Sequence, residues 1–132
     1  FPDNIFFDEK FFMYLENVDL CIRAKKNNGK LFIIKNSKIH HLGARAVDDK
    51  FSKEIELSRN WHWMWSKFYF NKKHRGFLIS NLLGFSGLIL NFLKYLICII
   101  TFNKKKNIYK MRMFGLFNAI LGKQSWFRPK IY

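Results

Sequence analysis

Residues 77–102 read FLISNLLGFSGLILNFLKYLICIITF, and Lys94 is the only charged residue in the run. At ~1.5 Å per residue, a helix of this length spans roughly 39 Å, more than a hydrocarbon core of ~30 Å. Flanking tryptophans and lysines are typical of a membrane interface. Trp61, Trp63, Trp65 and Lys94 are therefore the expected membrane contacts. A tilted span, an interfacial helix and a re-entrant pair stay open, with a buried core helix as the alternative.

The charge of the chain is strongly basic and unevenly distributed. The sequence has 24 Lys and Arg against 9 Asp and Glu, a net charge of +15, and no acidic residue occurs from Leu57 onward. A basic, apolar half of this kind faces a negative partner, either nucleic acid or an anionic membrane. The adjoining apolar run favours the anionic membrane, and we expect no nucleic-acid partner. At 49% hydrophobic residues, the composition excludes a disordered polyelectrolyte.

Changes in composition divide the chain into four segments. The first, 1–47, contains every feature that suggests chemistry, and 48–76 is predicted to be an aromatic-rich amphipathic helix. The segment 77–102 is predicted to be an apolar membrane-associated helix, and 103–132 a basic amphipathic tail suited to anionic lipid.

The first segment combines the pattern of one helix with those of two strands. A short helix is predicted to begin near Glu16, with Asn17 or Asp19 as its cap, and to end before Gly29. The stretch KLFIIK (30–35) and the following KIHHLG are rich in β-formers and predict two strands. The expected fold class is therefore α/β in this segment, followed by membrane-associated helices.

Two groups of residues could carry chemistry. Glu16 and Asp19 are three positions apart at a helix start, where the helix field keeps carboxylates ionised and able to accept a proton or approach a metal. A structural capping pair is the alternative. Of His40 and His41, which alternate at the end of a predicted strand, one imidazole could bind a divalent metal, or both could be ordinary polar histidines. The sequence has no zinc-type cysteine spacing and no glycine-rich phosphate loop.

The order of these pieces resembles a known family. FFDEKFFMYLENVDLCIRAKKNNGKLFIIKNSKIHHLG (6–43) is similar to the C-terminal half of the catalytic domain of family 2 glycosyltransferases. The bacterial rhamnosyltransferase-like enzymes of O-antigen and other surface polysaccharides are the most similar group. The matching motifs are Phe7-Asp8-Glu9, the run from Glu16 to Arg23, Gly29 and His41-Leu42-Gly43. The same group is also matched by the stretch 59–76, RNWHWMWSKFYFNKKHRG, and by Arg128-Pro129-Lys130.

This resemblance implies a GT-A fold and an inverting transfer of a sugar, rhamnose being one candidate. The donor would be a nucleotide-sugar, and the acceptor a lipid-linked sugar or a polysaccharide. A carboxylate would deprotonate the acceptor hydroxyl, and a divalent Mg or Mn ion would neutralise the departing diphosphate. Glu16 and Asp19 match the acidic motif, and His41 matches the metal-binding histidine. Asn17 departs from the family, because it replaces the usual aspartate base and an amide cannot take the proton. Either Glu16 or Asp19 then serves as the base, or this copy is impaired. We expect Glu16 to be the base and Asp19 to cap the helix and organise the site.

The family's nucleotide-binding half and its Asp-x-Asp motif do not occur in the sequence. We therefore expect a fragment that does not transfer sugar alone and that binds metal only within an intact enzyme. Its expected location is the cytoplasmic face of the bacterial plasma membrane. The alternative function is a non-enzymatic, basic membrane-binding adaptor.

Overall fold

The computed structural model describes residues 6–40 and 48–129. Regular structure in these ranges is entirely helical: α1 is Glu16–Lys26, α2 is Ser52–Arg75, α3 is Phe77–Ile100 and α4 is Lys106–Ile120, with a 3₁₀ turn at Asp49–Phe51 before α2. The helices predicted within 48–76 and 77–102 are thus confirmed as α2 and α3. The predicted α/β fold class, and with it the GT-A fold, is wrong, because the described residues contain no strand.

The predicted strand at 30–35 illustrates the reason. This stretch turns at Lys35-Asn36, where the Ser37 N–H donates to the Ile34 carbonyl over 3.2 Å. The Ile33 side chain is 94% exposed. A strand is stabilised only by pairing with a neighbour, and the described ranges offer none. The second predicted strand has no strand structure up to His40, and its remainder lies outside the described residues.

Helices α2, α3 and α4 pack on one another and form the core. On α2, Trp61, Met64, Trp65 and Phe68 recur at helical spacing and meet Leu116 and Ala119 of α4. Trp61 is 1% exposed and Trp65 is also buried. Trp61 and Trp65 are therefore core residues rather than the lipid contacts predicted for them, because the face that carries them is covered by α4. Trp63, on another face of α2, is partly exposed.

Helix α3 joins the bundle through its small and polar residues. The buried positions are Ser80, Gly84, Asn91 and Cys98. A Cβ atom at Gly84 would lie 3.0 Å from the Phe68 ring of α2, so the glycine allows a close helix contact. Most of the large aliphatic and aromatic side chains of α3 point away from the bundle, as Leu82 does at 73% exposed, whereas Leu88 packs against the core.

The chain on either side of the bundle crosses α2 as two irregular segments. In the N-terminal segment, 6–15, the Met13 carbonyl accepts a 2.7 Å hydrogen bond from Ser66 Oγ. In the C-terminal segment, 121–129, the Lys123 carbonyl accepts a 2.9 Å bond from Trp65 Nε1. These contacts fix both segments to the same helix.

Candidate functional site

The two predicted catalytic carboxylates lie in the first turn of α1. Glu16 is the first residue of the helix, and Asp19 follows one turn later. The preceding residues Tyr14 and Leu15 both have positive φ, 71° and 68°. Left-handed backbone at bulky residues costs of order 1–3 kcal/mol each and often accompanies functional sites. No side chain caps the helix, so neither carboxylate is the capping residue that the sequence suggested.

Asp19 is buried, and both of its carboxylate oxygens are paired. Its Oδ2 accepts a 2.8 Å hydrogen bond from Arg23 Nε, and its Oδ1 accepts from Lys73 Nζ and His74 Nε2, each at 2.8 Å. Arg23 also donates to the Phe6 carbonyl. Burial alone would raise the pKa of the Asp19 carboxyl, but the bonds from Lys73, Arg23 and His74 outweigh it and hold the pKa below its usual range. The Asp19 carboxylate therefore links α1 to the end of α2 in its ionised form at neutral pH.

A second carboxylate extends the same network. Asp8 Oδ2 accepts from Lys73 Nζ at 2.6 Å and from the Tyr69 hydroxyl at 2.9 Å. Burial acts to raise the pKa of Asp8, while the bonds from Lys73 and Tyr69 lower it to a value below the ordinary one. The pKa of Tyr69 is raised, first by burial and then by the hydrogen bond to Asp8. Lys73 therefore joins the N-terminal segment, α1 and α2.

Glu16 differs from Asp19 in its bonding. Its Oε2 is buried and has no hydrogen-bond partner, and His74 Nδ1 is likewise buried without a partner. A carboxylate oxygen without a partner retains its capacity to accept a proton, whereas both oxygens of Asp19 are occupied. The roles predicted from the sequence, with Glu16 as base and Asp19 as organiser of the site, stay predictions, since the unpaired Glu16 oxygen is buried in this structure.

The structure offers no support for the predicted metal. His41 lies outside the described residues. No group of three His, Cys, Asp or Glu side chains within 6–40 and 48–129 could hold an ion. Both oxygens of Asp19 are already paired with Arg23, Lys73 and His74. A metal bound within the intact enzyme stays a prediction, and we derive no step through it.

Sequence reasoning did not find the partners of Asp19 on α2. Arg23 stands four residues after Asp19, a spacing that brings helical side chains together, and this pairing could have been predicted. Lys73 and His74 belong to the basic stretch before Gly76 and lie more than fifty positions away from Asp19. No local pattern signals a contact at that separation.

Another buried histidine links α2 to the C-terminal segment. His62 has no solvent exposure, and its Nδ1 lies 2.8 Å from Ser125 Oγ while its Nε2 lies 2.7 Å from the Phe127 carbonyl. A carbonyl only accepts, so Nε2 carries the proton and Nδ1 accepts from the serine hydroxyl. The histidine is neutral in this arrangement and holds the C-terminal segment against α2.

Comparison with known proteins does not identify the chain. No protein-family model matches the sequence, and no curated protein or solved structure is significantly similar to it. The likeness to family 2 glycosyltransferases thus stays an inference from the motifs of residues 6–43.

Proposed function

We propose that this chain is the membrane-associated part of an inverting glycosyltransferase at the cytoplasmic face of the bacterial plasma membrane. Sugar, with rhamnose as one candidate, would pass from a nucleotide-sugar to a lipid-linked or polysaccharide acceptor during synthesis of cell-surface polysaccharide. The observation that carries the proposal is the surface of α3, which buries small and polar residues against the bundle and exposes most of its large apolar residues.

This arrangement suits lipid better than water. Helices in membranes associate through small and hydrogen-bonding residues, while their aliphatic side chains face lipid. Ser80, Gly84 and Asn91 occupy the contact face of α3, and Asn91 donates to the Gly87 carbonyl over 2.7 Å, so its amide is not left unpaired. Among the described residues, α3 is the one helix long and apolar enough to cross a membrane, and only 17% of its most apolar window is buried.

The charge of the chain agrees with a cytoplasmic, anionic surface. Lys104, Lys105 and Lys106 follow α3 directly and are exposed. Each such cation contributes about 1 kcal/mol of attraction to an anionic leaflet, and loops rich in Lys and Arg remain on the cytoplasmic side. Lys94 is also exposed, with its ammonium 6.0 Å from the Tyr109 ring centroid, so its predicted membrane role stays open.

The enzymatic half of the proposal rests on the motif around Glu16. Asp19 fixes α1 to Lys73 and His74 of α2, and α2 packs directly against α3. Glu16 is thereby held on the bundle that carries the apolar helix, with one carboxylate oxygen buried and unpaired. A base held beside the bilayer suits a lipid-linked acceptor, whose hydroxyl cannot leave the membrane surface.

Sugar transfer in membranes that contain the intact enzyme tests this proposal. Glu16→Gln should lower turnover with a labelled nucleotide-sugar at least ~100-fold, the usual size of a general-base effect. Glu56→Gln, an exposed carboxylate on α2, is the matched control and should leave turnover unchanged. Near-normal turnover of the Glu16 variant would remove this residue from the mechanism.

A non-enzymatic membrane adaptor is the second candidate. It is favoured by the complete pairing of Asp19, which gives this acid a structural role that requires no chemistry. Membrane binding without any nucleotide-sugar-dependent transfer by the intact protein would select the adaptor. Recovery of the protein in the soluble fraction at low salt, without detergent, would contradict both candidates.

A further inference from the structure

A cleft of about 610 Å³ lies between the N-terminal segment, α2 and the C-terminal segment. This volume is within the range of small-molecule sites. Four cations line it, Lys10, Lys72, Lys123 and Arg128, together with a single carboxylate, Glu9. The cations come from three separate parts of the chain, so the folded structure rather than a basic run in the sequence brings them together.

Aromatic side chains restrain two of these positions, Arg128 through its guanidinium and Lys123 through its backbone. The guanidinium carbon of Arg128 lies 3.5 Å from the centroid of the Phe12 ring, and Nη1 donates to the Ser125 carbonyl over 3.0 Å. Trp65 donates to the Lys123 carbonyl and so fixes the backbone at that position. A cleft with restrained walls needs little ordering when a ligand binds.

The charges of the cleft are not neutralised within the described part of the chain. None of the four cations forms an ion pair there, in contrast to Lys73, which contacts both Asp8 and Asp19. All four cations are exposed. Four cations against one carboxylate give an excess of three positive charges, which suits a ligand with more than one negative charge. Arg and Lys are the common partners of phosphate.

The cleft adjoins the beginning of the apolar helix. Lys72 lines the cleft, and its ammonium lies 6.0 Å from the centroid of the Phe77 ring, the first residue of α3. Phe68 lines the same cleft and packs against Gly84, two turns further along α3. A ligand in the cleft would therefore sit beside the end of the helix whose outer face suits lipid.

From this placement we propose that the cleft binds the phosphate-bearing headgroup of a membrane lipid, with Lys10, Lys72, Lys123 and Arg128 as the phosphate ligands. The inference rests on the proposed membrane function and goes beyond general attraction to an anionic surface, because it assigns a defined site and a preference for phosphate of higher charge. A phosphomonoester that can carry two charges should bind better than a phosphodiester that carries one.

The test compares two kinds of phosphatidylcholine vesicle adjusted to equal surface potential, one containing phosphatidic acid and the other phosphatidylglycerol. The full chain should bind the phosphatidic acid vesicles about 10-fold more tightly, as expected for an added charge-assisted contact. Lys72→Gln with Lys123→Gln should reduce this preference to within about 2-fold. Both lysines are exposed, so the helical content of the double variant should match that of the parent by circular dichroism.

Lys104→Gln with Lys105→Gln is the matched control, because it removes the same charge outside the cleft. It should weaken binding to both vesicles by about 5-fold per cation and keep the preference for phosphatidic acid. If the parent chain and both double variants showed the same preference for phosphatidic acid, the proposed site would be overturned, while membrane binding itself would stand. Failure of the parent chain to bind either vesicle would overturn the proposed function as well.

Inorganic pyrophosphate distinguishes a lipid headgroup from free phosphate as the ligand. At millimolar concentration it should not release the parent chain from phosphatidic acid vesicles, because the apolar face of α3 contributes separately to lipid binding. Release by pyrophosphate, together with loss of the preference between vesicles, would assign the cleft to a soluble phosphate compound and overturn the lipid assignment.

Discussion

The Nζ of Lys73 lies 2.8 Å from Oδ1 of Asp19, a carboxylate without solvent exposure. The pair connects the first turn of α1 to the last turn of α2, and Arg23 and His74 complete the surroundings of the carboxylate. Because α2 packs on α3, this buried charge fixes the position of the acidic motif relative to the apolar helix.

Asp19→Asn should destabilise the chain by about 3 kcal/mol. The amide leaves two cations and a histidine facing a neutral group, and breaking a buried, hydrogen-bonded ion pair has costs of this order. The measurement is the free energy of unfolding in mild detergent. Asp48→Asn is the control, since Asp48 pairs with Lys50 at 3.3 Å on the surface and its loss should cost less than about 0.5 kcal/mol. Equal losses in the two variants would show that Asp19 does not connect α1 to the bundle.

The stability of the chain should fall as the pH is lowered from about 7 to 5. Burial lowers the pKa of His62; the hydrogen bond to the Phe127 carbonyl opposes this effect, and the charge of Arg128 adds to it. With the folded pKa below the unfolded value, the unfolded chain binds the proton first. The contribution of His62 is therefore complete above the unfolded pKa and is lost as the pH falls toward the folded one.

His62→Gln should flatten this pH dependence, because the glutamine amide can donate and accept but does not titrate in this range. His40→Gln is the control, since His40 is exposed and the variant should follow the parent curve. The measurement is the unfolding midpoint of each variant in detergent between about pH 5 and 7. An unchanged slope in the His62 variant would exclude this residue as the source.

The long helices could be predicted from the sequence, whereas the faces that they bury could not. Helix α3 follows from an apolar run without proline, and α2 from a stretch free of glycine and proline between Asp48 and Phe70. Aromatic residues occur on several faces of α2, so periodicity did not distinguish the buried Trp61 from the partly exposed Trp63. Only the packing of α4 against α2 decides which ring is covered.

Contacts between distant parts of the chain also could not be predicted from the sequence. The composition of 30–35 favours a strand, but a strand forms only where another strand pairs with it. The bonds from Asp19 to Lys73 and from His62 to Ser125 each join residues more than fifty positions apart. Local spacing revealed the residue types of the candidate site, and the fold determines which carboxylate is paired and which retains a free oxygen.

Gly115→Ala should loosen the contact between α2 and α4. A Cβ at this position would overlap the backbone carbonyl of Trp61, and backbone atoms cannot move aside as a flexible side chain can. We expect a loss of about 3 kcal/mol, at the upper end of overpacking effects, and a reduced near-ultraviolet circular dichroism signal from the tryptophans. At Gly87 the Cβ would meet the ends of two flexible side chains, a Leu116 methyl group at 3.0 Å and the Met64 methyl group at 3.7 Å, so Gly87→Ala should cost about 1 kcal/mol. A Gly115 variant as stable as the Gly87 variant would contradict the close approach of the two helices.

The outer face of α3 gives the last prediction. Leu82→Asn with Leu90→Asn places two amides on this face, where both side chains are exposed, so the packing of the bundle is not disturbed. In lipid each amide would lose its water without gaining a partner, a cost of roughly 2 kcal/mol or more per group.

The double variant should therefore remain helical in detergent and bind anionic vesicles at least ~10-fold more weakly in flotation. Leu31→Asn with Ile33→Asn makes the same change at exposed aliphatic residues outside α3 and should float like the parent chain. If both double variants float equally well, the outward apolar residues of α3 do not contact the bilayer, and attraction between the cations and the anionic surface is left as the sole source of binding.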